Sequence, residues 1–226
     1  MSSTLVLVHG WGFGAGVWRP VRRGLQACSS HALDLGFYHP ARTAFPTEDG
    51  FIAIGHSLGF LWLTRHLLLE PDLAARCGGL IAINGFCRFA RSLDFPAGVA
   101  PRILERMVSR LGIDPRAVLS DFQRQGGLDT PLNLPATLNA HALAQGLSWL
   151  AEWDSRALLP AWNKPLLVIS SRDDRVVTPE MVLQQFQPGA FTTLEWCEAG
   201  GHLLPLTRPE WIAARIDAFA RLHGAS

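Results

Sequence analysis

Gly55-His56-Ser57-Leu58-Gly59 comes directly after the apolar run Phe51-Ile52-Ala53-Ile54. A G-x-S-x-G segment behind a buried strand is the pattern of a nucleophile elbow, a tight strand-to-helix turn that exposes a serine hydroxyl. Its glycines let the backbone and the following helix approach closely at the bend. The mostly apolar residues 60–68 predict that helix. We therefore predict that Ser57 is a catalytic nucleophile.

A serine hydroxyl needs a general base, and three histidines lie beyond the predicted elbow helix: His141, His202 and His223. His202 lies in the Gly-rich segment 198–205, which follows a strand-like segment, and such a loop can reach over the edge of a sheet. His141 falls in a predicted helix and His223 in a terminal helix, so we interpret both as structural. We predict that His202 is the general base; the alternative is a loop histidine without a catalytic role.

The acid that orients the histidine is expected behind the buried strand that the continuous apolar run 165–170 predicts. Two adjacent aspartates follow it, Asp173 and Asp174. Hydrolases with a serine elbow usually place the acid shortly before a Pro-containing helix start, here Thr178-Pro179. We therefore predict that Asp174 fixes the imidazole tautomer. Asp173 is the alternative acid, or else a turn residue or the ion-pair partner of a neighbouring arginine.

An oxyanion hole is expected where the apolar segment 5–8 ends in His9-Gly10-Trp11-Gly12. This turn presents backbone N–H groups toward the elbow. The predicted donors are the N–H of Trp11 and the N–H of Leu58, the residue after the nucleophile. We interpret His9 as a hydrogen-bonding residue that shapes the loop.

The composition excludes several classes of function. With 226 residues, 48% of them hydrophobic, the chain is long enough for one domain with a substantial core. The net charge of +1 argues against a nucleic-acid partner. No segment is typical of a signal peptide or of a membrane span, so we expect a cytoplasmic protein. We also expect a monomer. The cysteines are scattered and are predicted to be reduced, and no metal or organic cofactor is expected; they are Cys28, Cys77, Cys87 and Cys197.

Buried strands alternate with helices along the chain, which predicts an α/β fold with a mostly parallel, doubly wound sheet. The predicted strands are 4–8, 30–34, 51–54, 79–83, 165–170 and 191–196. The predicted helices lie near 17–27 and at 57–69, 179–186 and 209–222. The stretch 34–51 is too short for a full crossover helix and its loops, so we expect a compact version of the fold.

Residues 87–160 interrupt this alternation and are predicted to be almost entirely helical, as a cap over the serine. Residues 1–86 and 161–226 then form the core. Segment 101–111 combines a predicted apolar face with arginines at every fourth position; the apolar face is Ile103, Leu104, Met107, Val108 and Leu111, and the arginines are Arg102, Arg106 and Arg110. Guanidinium groups bind carboxylates and phosphates bidentately. The arginines therefore predict a docking surface for an acidic partner or a phosphate, the alternative being a solvated helix face.

Aromatic residues near and within the cap are candidates for the walls of an apolar acyl tunnel, although each also fits ordinary core packing. They are Trp149, Trp153, Trp162, Phe122, Phe86 and Phe89.

With these motifs, the chain resembles the α/β-hydrolases of biotin synthesis, the pimeloyl-[acyl-carrier protein] methyl ester esterases. The resemblance covers most of the chain. Its more specific points are His9-Gly10-Trp11-Gly12 leading to Trp18, the segment Ala82-Ile83-Asn84-Gly85, and Ser170-Ser171-Arg172-Asp173 leading to Thr178-Pro179. In this family the cap follows the strand that is numbered sixth, here 79–83.

The resemblance implies a serine esterase that removes the methyl ester from a carrier-bound dicarboxylate. Acyl-carrier protein would be the partner, engaged by the cap arginines. Two positions depart from the usual pattern: Ser171 replaces a glycine, and His56 stands where a tryptophan is frequent, which leads us to expect His56 at the pocket entrance. The alternatives are a generic small-ester hydrolase, thioesterase or lactonase, or a non-catalytic relative that binds a ligand.

Overall fold

The computed structural model describes residues 4–26 and 29–224. Its six strands form one sheet in the order β2-β1-β3-β4-β5-β6, and all neighbouring strands are parallel. The strands are β1 (Leu5–Val8), β2 (Ser30–Leu33), β3 (Phe51–His56), β4 (Cys77–Ile83), β5 (Leu166–Ser171) and β6 (Thr192–Cys197). The predicted α/β class with a doubly wound parallel sheet is confirmed.

Ten α-helices and one short 3₁₀ helix (Ala15–Trp18) lie in the described part of the chain. The helices of the core are α1 (Arg19–Gly24), α2 (Leu58–Leu69), α3 (Pro71–Arg76), α8 (Pro179–Gln185), α9 (Leu204–Thr207) and α10 (Pro209–His223). The sequence patterns had not predicted the short helices α3 and α9. The last residue of the helix predicted near 17–27 lies outside the described residues.

The central strands β1, β3, β4 and β5 are buried on both faces of the sheet, which is why they are largely apolar, whereas the edge strands β2 and β6 are partly exposed. In β1, Val6 and Val8 pack on the side of the sheet that carries α2, while Leu5 and Leu7 pack on the side that carries α1 and α10. The strand alternation thus divides the core into two layers. Residues 34–50 contain no helix, as expected from their length.

The chain order places a crevice at the carboxyl edge of the sheet. After β1 the chain moves outward to β2, and it then returns to the other side of β1 as β3. Ligands of open parallel sheets bind at such a switch point, outside the carboxyl ends of the strands. The G-x-S-x-G and H-G-W-G segments both end at this crevice, because they follow β3 and β1.

Between β4 and β5, residues 87–160 carry the remaining helices, which are α4 (Pro101–Leu111), α5 (Pro115–Gln125), α6 (Ala140–Glu152) and α7 (Leu158–Ala161). The prediction that this insertion is almost entirely helical was too broad. Segments 87–100 and 126–139 are irregular, and both contain glycine and proline, which interrupt helices. Backbone bridges between Ala90 and Val99 and between Ser92 and Phe95 close the first of them.

Helix α4 packs through only part of its predicted apolar face. Leu104 and Leu111 are buried, whereas Ile103 and Val108 are 48% and 43% exposed. Helix α4 packs against α5 and α6, and Ile103 and Val108 are not covered by this packing. Of the predicted apolar face, Leu104 and Leu111 are therefore in the core, whereas Ile103 and Val108 face solvent.

The described cysteines Cys77, Cys87 and Cys197 are buried and free, as the reduced state predicts; Cys28 lies outside the described residues. Burial raises the pKa of the Cys77 thiol to about 11 and that of Cys87 to about 12. Both thiols are therefore held in the unreactive protonated form.

In the described part of the chain, no helix combines the length and apolarity needed to cross a membrane.

Candidate active site

Ser57 occupies a strained turn between β3 and α2, with φ 53° and ψ −125°. A Cβ added at Gly55 would lie 2.3 Å from the Phe60 Cα, and one added at Gly59 would lie 2.2 Å from the Val8 carbonyl oxygen. No larger residue fits at either glycine without moving backbone. The predicted close approach at the elbow is therefore present, and it holds Ser57 in a conformation that a non-glycine residue rarely adopts.

Ser57, His202 and Asp174 form one line of hydrogen bonds. The Ser57 Oγ lies 2.8 Å from the His202 Nε2, and the His202 Nδ1 lies 2.8 Å from the Asp174 Oδ2. All three residues are buried. Because a carboxylate only accepts hydrogen bonds, Nδ1 carries the imidazole proton and Nε2 accepts from the serine hydroxyl. This is the tautomer in which an imidazole can take the serine proton.

The candidate oxyanion-hole donors are the backbone N–H groups of Trp11 and Leu58. In residues 4–26 and 29–224, no protein acceptor receives a hydrogen bond from the Trp11 N–H or the Leu58 N–H. Leu58 follows the serine directly, and Trp11 belongs to the turn at the end of β1, the strand next to β3. Both amides are therefore available to a ligand at the carboxyl edge.

A sequence model of the alpha/beta hydrolase family matches residues 5–215, nearly the whole described chain. The chain belongs to the alpha/beta hydrolase family. The solved esterase EaEST from Exiguobacterium antarcticum superposes with a TM-score of 0.85 at 17% identity, over 98% of this chain and 93% of that one. At this identity the likeness supports the hydrolase fold alone.

Two relatives narrow the comparison. The chain is 34% identical over 194 positions to the biotin biosynthesis bifunctional protein BioHC of Cellvibrio japonicus (strain Ueda107), which covers 76% of this chain and 38% of that relative's length. It is 30% identical over 250 positions to the pimeloyl-[acyl-carrier protein] methyl ester esterase of Stenotrophomonas maltophilia (strain R551-3), covering 95% and 92%. The resemblance inferred from the motifs is confirmed. Together with the Ser57–His202 hydrogen bond, this resemblance supports the conclusion that the chain is a carboxylic ester hydrolase.

The two adjacent aspartates of this hydrolase hold different parts of one loop. Asp174 contacts the His202 side chain, and its other oxygen accepts hydrogen bonds from the N–H groups of Val176 (2.7 Å) and Val177 (2.9 Å). Both carboxylate oxygens are therefore engaged. The position favoured from the sequence, Asp174, is the one that the structure brings to His202.

Asp173 instead braces the backbone of the histidine loop. It accepts hydrogen bonds from the Ser171 hydroxyl (2.5 Å) and from the N–H groups of Gly200 (3.1 Å) and Gly201 (2.8 Å). Burial alone would raise the pKa of Asp173, but these hydrogen bonds outweigh it and lower that pKa. The alternative that Asp173 pairs with Arg172 is wrong, because the Arg172 side chain contacts Glu198 at 3.1 Å.

His56 lies behind His202, and the expectation that it shapes the pocket entrance is wrong. It is only 1% exposed, and its Nε2 lies 2.8 Å from the backbone oxygen of His202. Burial, followed by repulsion from His202, lowers the pKa of His56 to about 3. His56 is therefore neutral at physiological pH. The side chain is excluded from the entrance because β3 directs it into the layer that contains Phe13.

Sequence reasoning gave Asn84 no role, yet it connects three segments of the site. Its Nδ2 donates to the backbone oxygens of Gly201 (3.0 Å) and His202 (2.8 Å), and its Oδ1 accepts from the Ser171 N–H (2.9 Å). Asn84 has a positive φ of 44° and is completely buried. The available signal was its position, a polar residue at the carboxyl end of a buried parallel strand.

The H-G-W-G turn is held by side chains on both sides. The Leu35 N–H donates to the His9 Nε2 (2.9 Å), so His9 carries its proton on Nδ1 and donates it to the Gly10 oxygen (2.9 Å). This agrees with the interpretation of His9 as a loop-shaping residue. The Tyr38 hydroxyl donates to the Gly12 oxygen, a contact that the sequence did not indicate. Burial raises the pKa of Tyr38, which keeps this donor protonated.

Helices α5 and α6 cover the site. The Trp11 indole donates to the Leu143 oxygen of α6 at 2.8 Å. The Phe122 ring of α5 lies 5.2 Å from the Trp11 ring and 6.0 Å from the His202 ring, between ring centroids. Ser57 is consequently only 4% exposed. In this arrangement, the insertion between β4 and β5 closes over the serine.

The six aromatic candidates do not share one tunnel. Phe122 contacts the triad histidine, whereas Trp149 and Trp153 stack on each other and line a separate groove of about 450 Å³. Trp162 lies beside Lys164, whose Nζ bonds the oxygen of Cys77 at the amino end of β4. Trp162 is therefore at the wrong end of the sheet. Phe86 and Phe89 lie in the core, with their ring centroids 4.9 Å apart and the rings tilted to each other.

The arginines of α4 differ in their partners. Arg102, Arg106 and Arg110 are all exposed. The Arg110 Nη2 lies 2.7 Å from the Asp121 Oδ2 of α5, while Arg102 and Arg106 have no ion-pair partner among the described residues. The predicted stripe thus contains two guanidinium groups that are free to meet another molecule. In the same described residues, no group of three or more His, Cys, Asp or Glu side chains could hold a metal ion.

Proposed function

We propose that this enzyme hydrolyses the methyl ester of pimeloyl-acyl-carrier protein, with Ser57 as nucleophile, His202 as general base and Asp174 as the orienting acid. The observation that carries the proposal is the hydrogen-bonded line from Ser57 Oγ through His202 to Asp174, with both distances at 2.8 Å. The relative from Stenotrophomonas maltophilia, which matches nearly the full length of this chain, is a pimeloyl-[acyl-carrier protein] methyl ester esterase, and this likeness supports the proposed substrate.

In the proposed reaction, the Ser57 oxygen attacks the ester carbonyl while His202 takes the hydroxyl proton. The N–H groups of Trp11 and Leu58 stabilise the oxyanion of the tetrahedral intermediate, a contribution typically of about 3 kcal/mol for each donor. His202 then returns the proton to the leaving methanol, which leaves an acyl-enzyme. Water, deprotonated by His202, hydrolyses the acyl-enzyme by the same route. Asp174 stabilises the imidazolium at each step.

In this proposal residues 87–160 are the cap that selects the substrate, and 1–86 with 161–226 are the catalytic core. Ser57 is only 4% exposed beneath α5 and α6. A carrier-bound ester can therefore reach it only when these helices move away from the H-G-W-G turn. Such closure excludes water once the ester is bound.

The docking surface in this proposal is centred on Arg102 and Arg106. Neither guanidinium is neutralised by a described carboxylate, and the two lie one helical turn apart on α4. A carrier protein with acidic side chains would provide the missing carboxylates. Arg110 contributes less, because Asp121 already holds it. Electrostatic surfaces of this kind mainly raise the association rate and weaken with salt.

The test is steady-state hydrolysis of pimeloyl-acyl-carrier protein methyl ester and of p-nitrophenyl butyrate by the wild type, Ser57→Ala and the double variant Arg102→Glu/Arg106→Glu. We expect Ser57→Ala to abolish both activities. We expect the double variant to lose carrier-ester turnover while it still hydrolyses the small ester. A third reversal, Arg110→Glu, should add little.

The matched control is Arg19→Glu/Arg23→Glu, which reverses two exposed arginines at the same spacing on α1. It should leave both activities unchanged. Brisk small-ester turnover without carrier-ester turnover by the wild type would refute the proposed substrate and favour a generic esterase, thioesterase or lactonase. Full activity of Ser57→Ala would refute the proposed nucleophile. Absence of turnover of both esters by the wild type would favour a ligand-binding relative.

A further inference from the structure

His56 and Asn84 converge on one atom, the backbone oxygen of His202. The His56 Nε2 and the Asn84 Nδ2 each lie 2.8 Å from it. A carbonyl oxygen has two lone pairs, so two donors saturate it. This carbonyl lies a few covalent bonds from the imidazole of the same residue, and that imidazole contacts Ser57. The contact therefore fixes the backbone from which that imidazole projects.

The surroundings determine the tautomer of His56 and the orientation of the Asn84 amide. A carbonyl only accepts, so the proton of neutral His56 lies on Nε2, and its Nδ1 has no hydrogen-bond partner among the described residues. The Asn84 Oδ1 accepts from the Ser171 N–H, which orients its amide with Nδ2 toward the histidine loop. A buried unpartnered Nδ1 costs free energy. A phenylalanine at position 56 would avoid that cost, so stability alone does not account for this histidine.

We propose that His56 and Asn84 are positioning residues that clamp the His202 backbone and thereby hold its imidazole between Ser57 and Asp174. This inference rests on the proposed role of His202 as general base. The clamp joins the elbow, the end of β4 and the histidine loop, three segments whose relative placement sets the Ser57–His202 distance. Small displacements of a catalytic group lower turnover strongly, because general-base catalysis depends on geometry.

The test compares His56→Phe, His56→Gln and Asn84→Asp with the wild type on p-nitrophenyl butyrate. Phenylalanine keeps the ring but removes the donor. Glutamine places an amide Nε2 three bonds beyond Cβ, where histidine has its own Nε2, and so can restore the donor. Aspartate keeps the shape of Asn84 but directs an acceptor at the His202 oxygen, and like asparagine it tolerates a positive φ.

We expect His56→Phe to lower kcat about 10-fold with KM within about 2-fold, since one neutral hydrogen bond corresponds to roughly one order of magnitude. His56→Gln should recover most of that loss. Asn84→Asp should lower kcat by more than His56→Phe does. The matched control is His66→Phe, which removes a ring contact of the same length, 2.8 Å, to the backbone oxygen of Trp62 within α2; its kcat should not change.

Thermal unfolding of each variant separates positioning from a purely structural role. If His56→Phe and His56→Gln both keep wild-type kcat, or if kcat follows the unfolding temperature alone, the clamp is refuted. The wild type and Ser57→Ala are measured in the same assay. An inactive wild type, or an active Ser57→Ala, would refute the proposed function itself, whereas an active wild type beside an inactive Ser57→Ala confines any failure to the clamp.

Discussion

At the carboxyl edge of the sheet, each polar side-chain atom of Ser57, His202 and Asp174 has a protein hydrogen-bond partner within 3 Å. On the outer face of α4, two of three arginines have no ion-pair partner in the described residues. The edge is buried and the helix face is exposed. In a buried site, every hydrogen bond restricts geometry and an unmade one is costly.

This difference separates two properties of the enzyme. At the edge, one arrangement satisfies every polar side-chain atom of Ser57, His202 and Asp174, so its chemistry is sensitive to single atoms. The face of α4 is adjustable, because solvent replaces any contact that is lost there. We therefore expect reactivity to depend on the edge and substrate choice to depend on the cap.

The largest effect should distinguish the two aspartates within the edge. Asp174→Asn should lower kcat for p-nitrophenyl butyrate by about 10⁴-fold, because an amide in place of the carboxylate favours the wrong imidazole tautomer. Asp173→Asn should lower it by no more than about 10-fold, since Asp173 contacts only the backbone and Ser171. The opposite order would reassign the acid to Asp173.

A single methyl group should show how closely the edge is packed. Gly59→Ala would place its Cβ 2.2 Å from the Val8 oxygen, and we expect the free energy of unfolding to fall by roughly 3 kcal/mol or more. Urea denaturation monitored by tryptophan fluorescence measures it. Gly16→Ala is the control, because no atom lies within 4 Å of its added Cβ; a comparable loss there would contradict the packing argument.

The buried histidine should make the edge sensitive to acid. The pKa of His56 is lowered to about 3 in the folded protein, below the usual value of about 6.5 in an unfolded chain. The unfolded state then binds the additional proton, so the stabilisation is complete above about pH 6.5 and is lost as the pH falls toward 3. The expected slope is about 1.4 kcal/mol per pH unit.

This slope is measured as the free energy of unfolding at pH 7.0, 5.5 and 4.5 in the wild type and His56→Phe. The variant should lose less stability on acidification, because the titrating group is absent while the carboxylates are shared by both proteins. Parallel pH profiles would show that His56 titrates as it does in an unfolded chain.

The smallest effect is expected on α4. Arg110→Ala removes an ion pair whose side chains are both about half exposed, so the free energy of unfolding should fall by only about 0.2–1 kcal/mol. Arg106→Ala should change it by less than about 0.5 kcal/mol. A loss of several kcal/mol in either variant would show that this face is built as tightly as the edge.

Local patterns were sufficient to predict the fold and much of the candidate site. The G-x-S-x-G elbow, the H-G-W-G turn and the six parallel strands depend on neighbouring residues, whose spacing and glycines are visible in the chain. Local patterns do not separate Asp173 from Asp174, because two adjacent carboxylates differ only in which part of a distant loop they contact.

The sequence by itself therefore determined the α/β scaffold and the order of the site residues along the chain: a serine, then an acid, then a histidine. Only the tertiary structure decided that His56 faces inward, that Asn84 joins three segments, that α4 buries only part of its apolar face and that Arg110 is already paired. His56 and Asn84 lie 146 and 118 residues from His202 in the chain. Contacts at such separations arise from how helices and strands pack together, and no local periodicity encodes them.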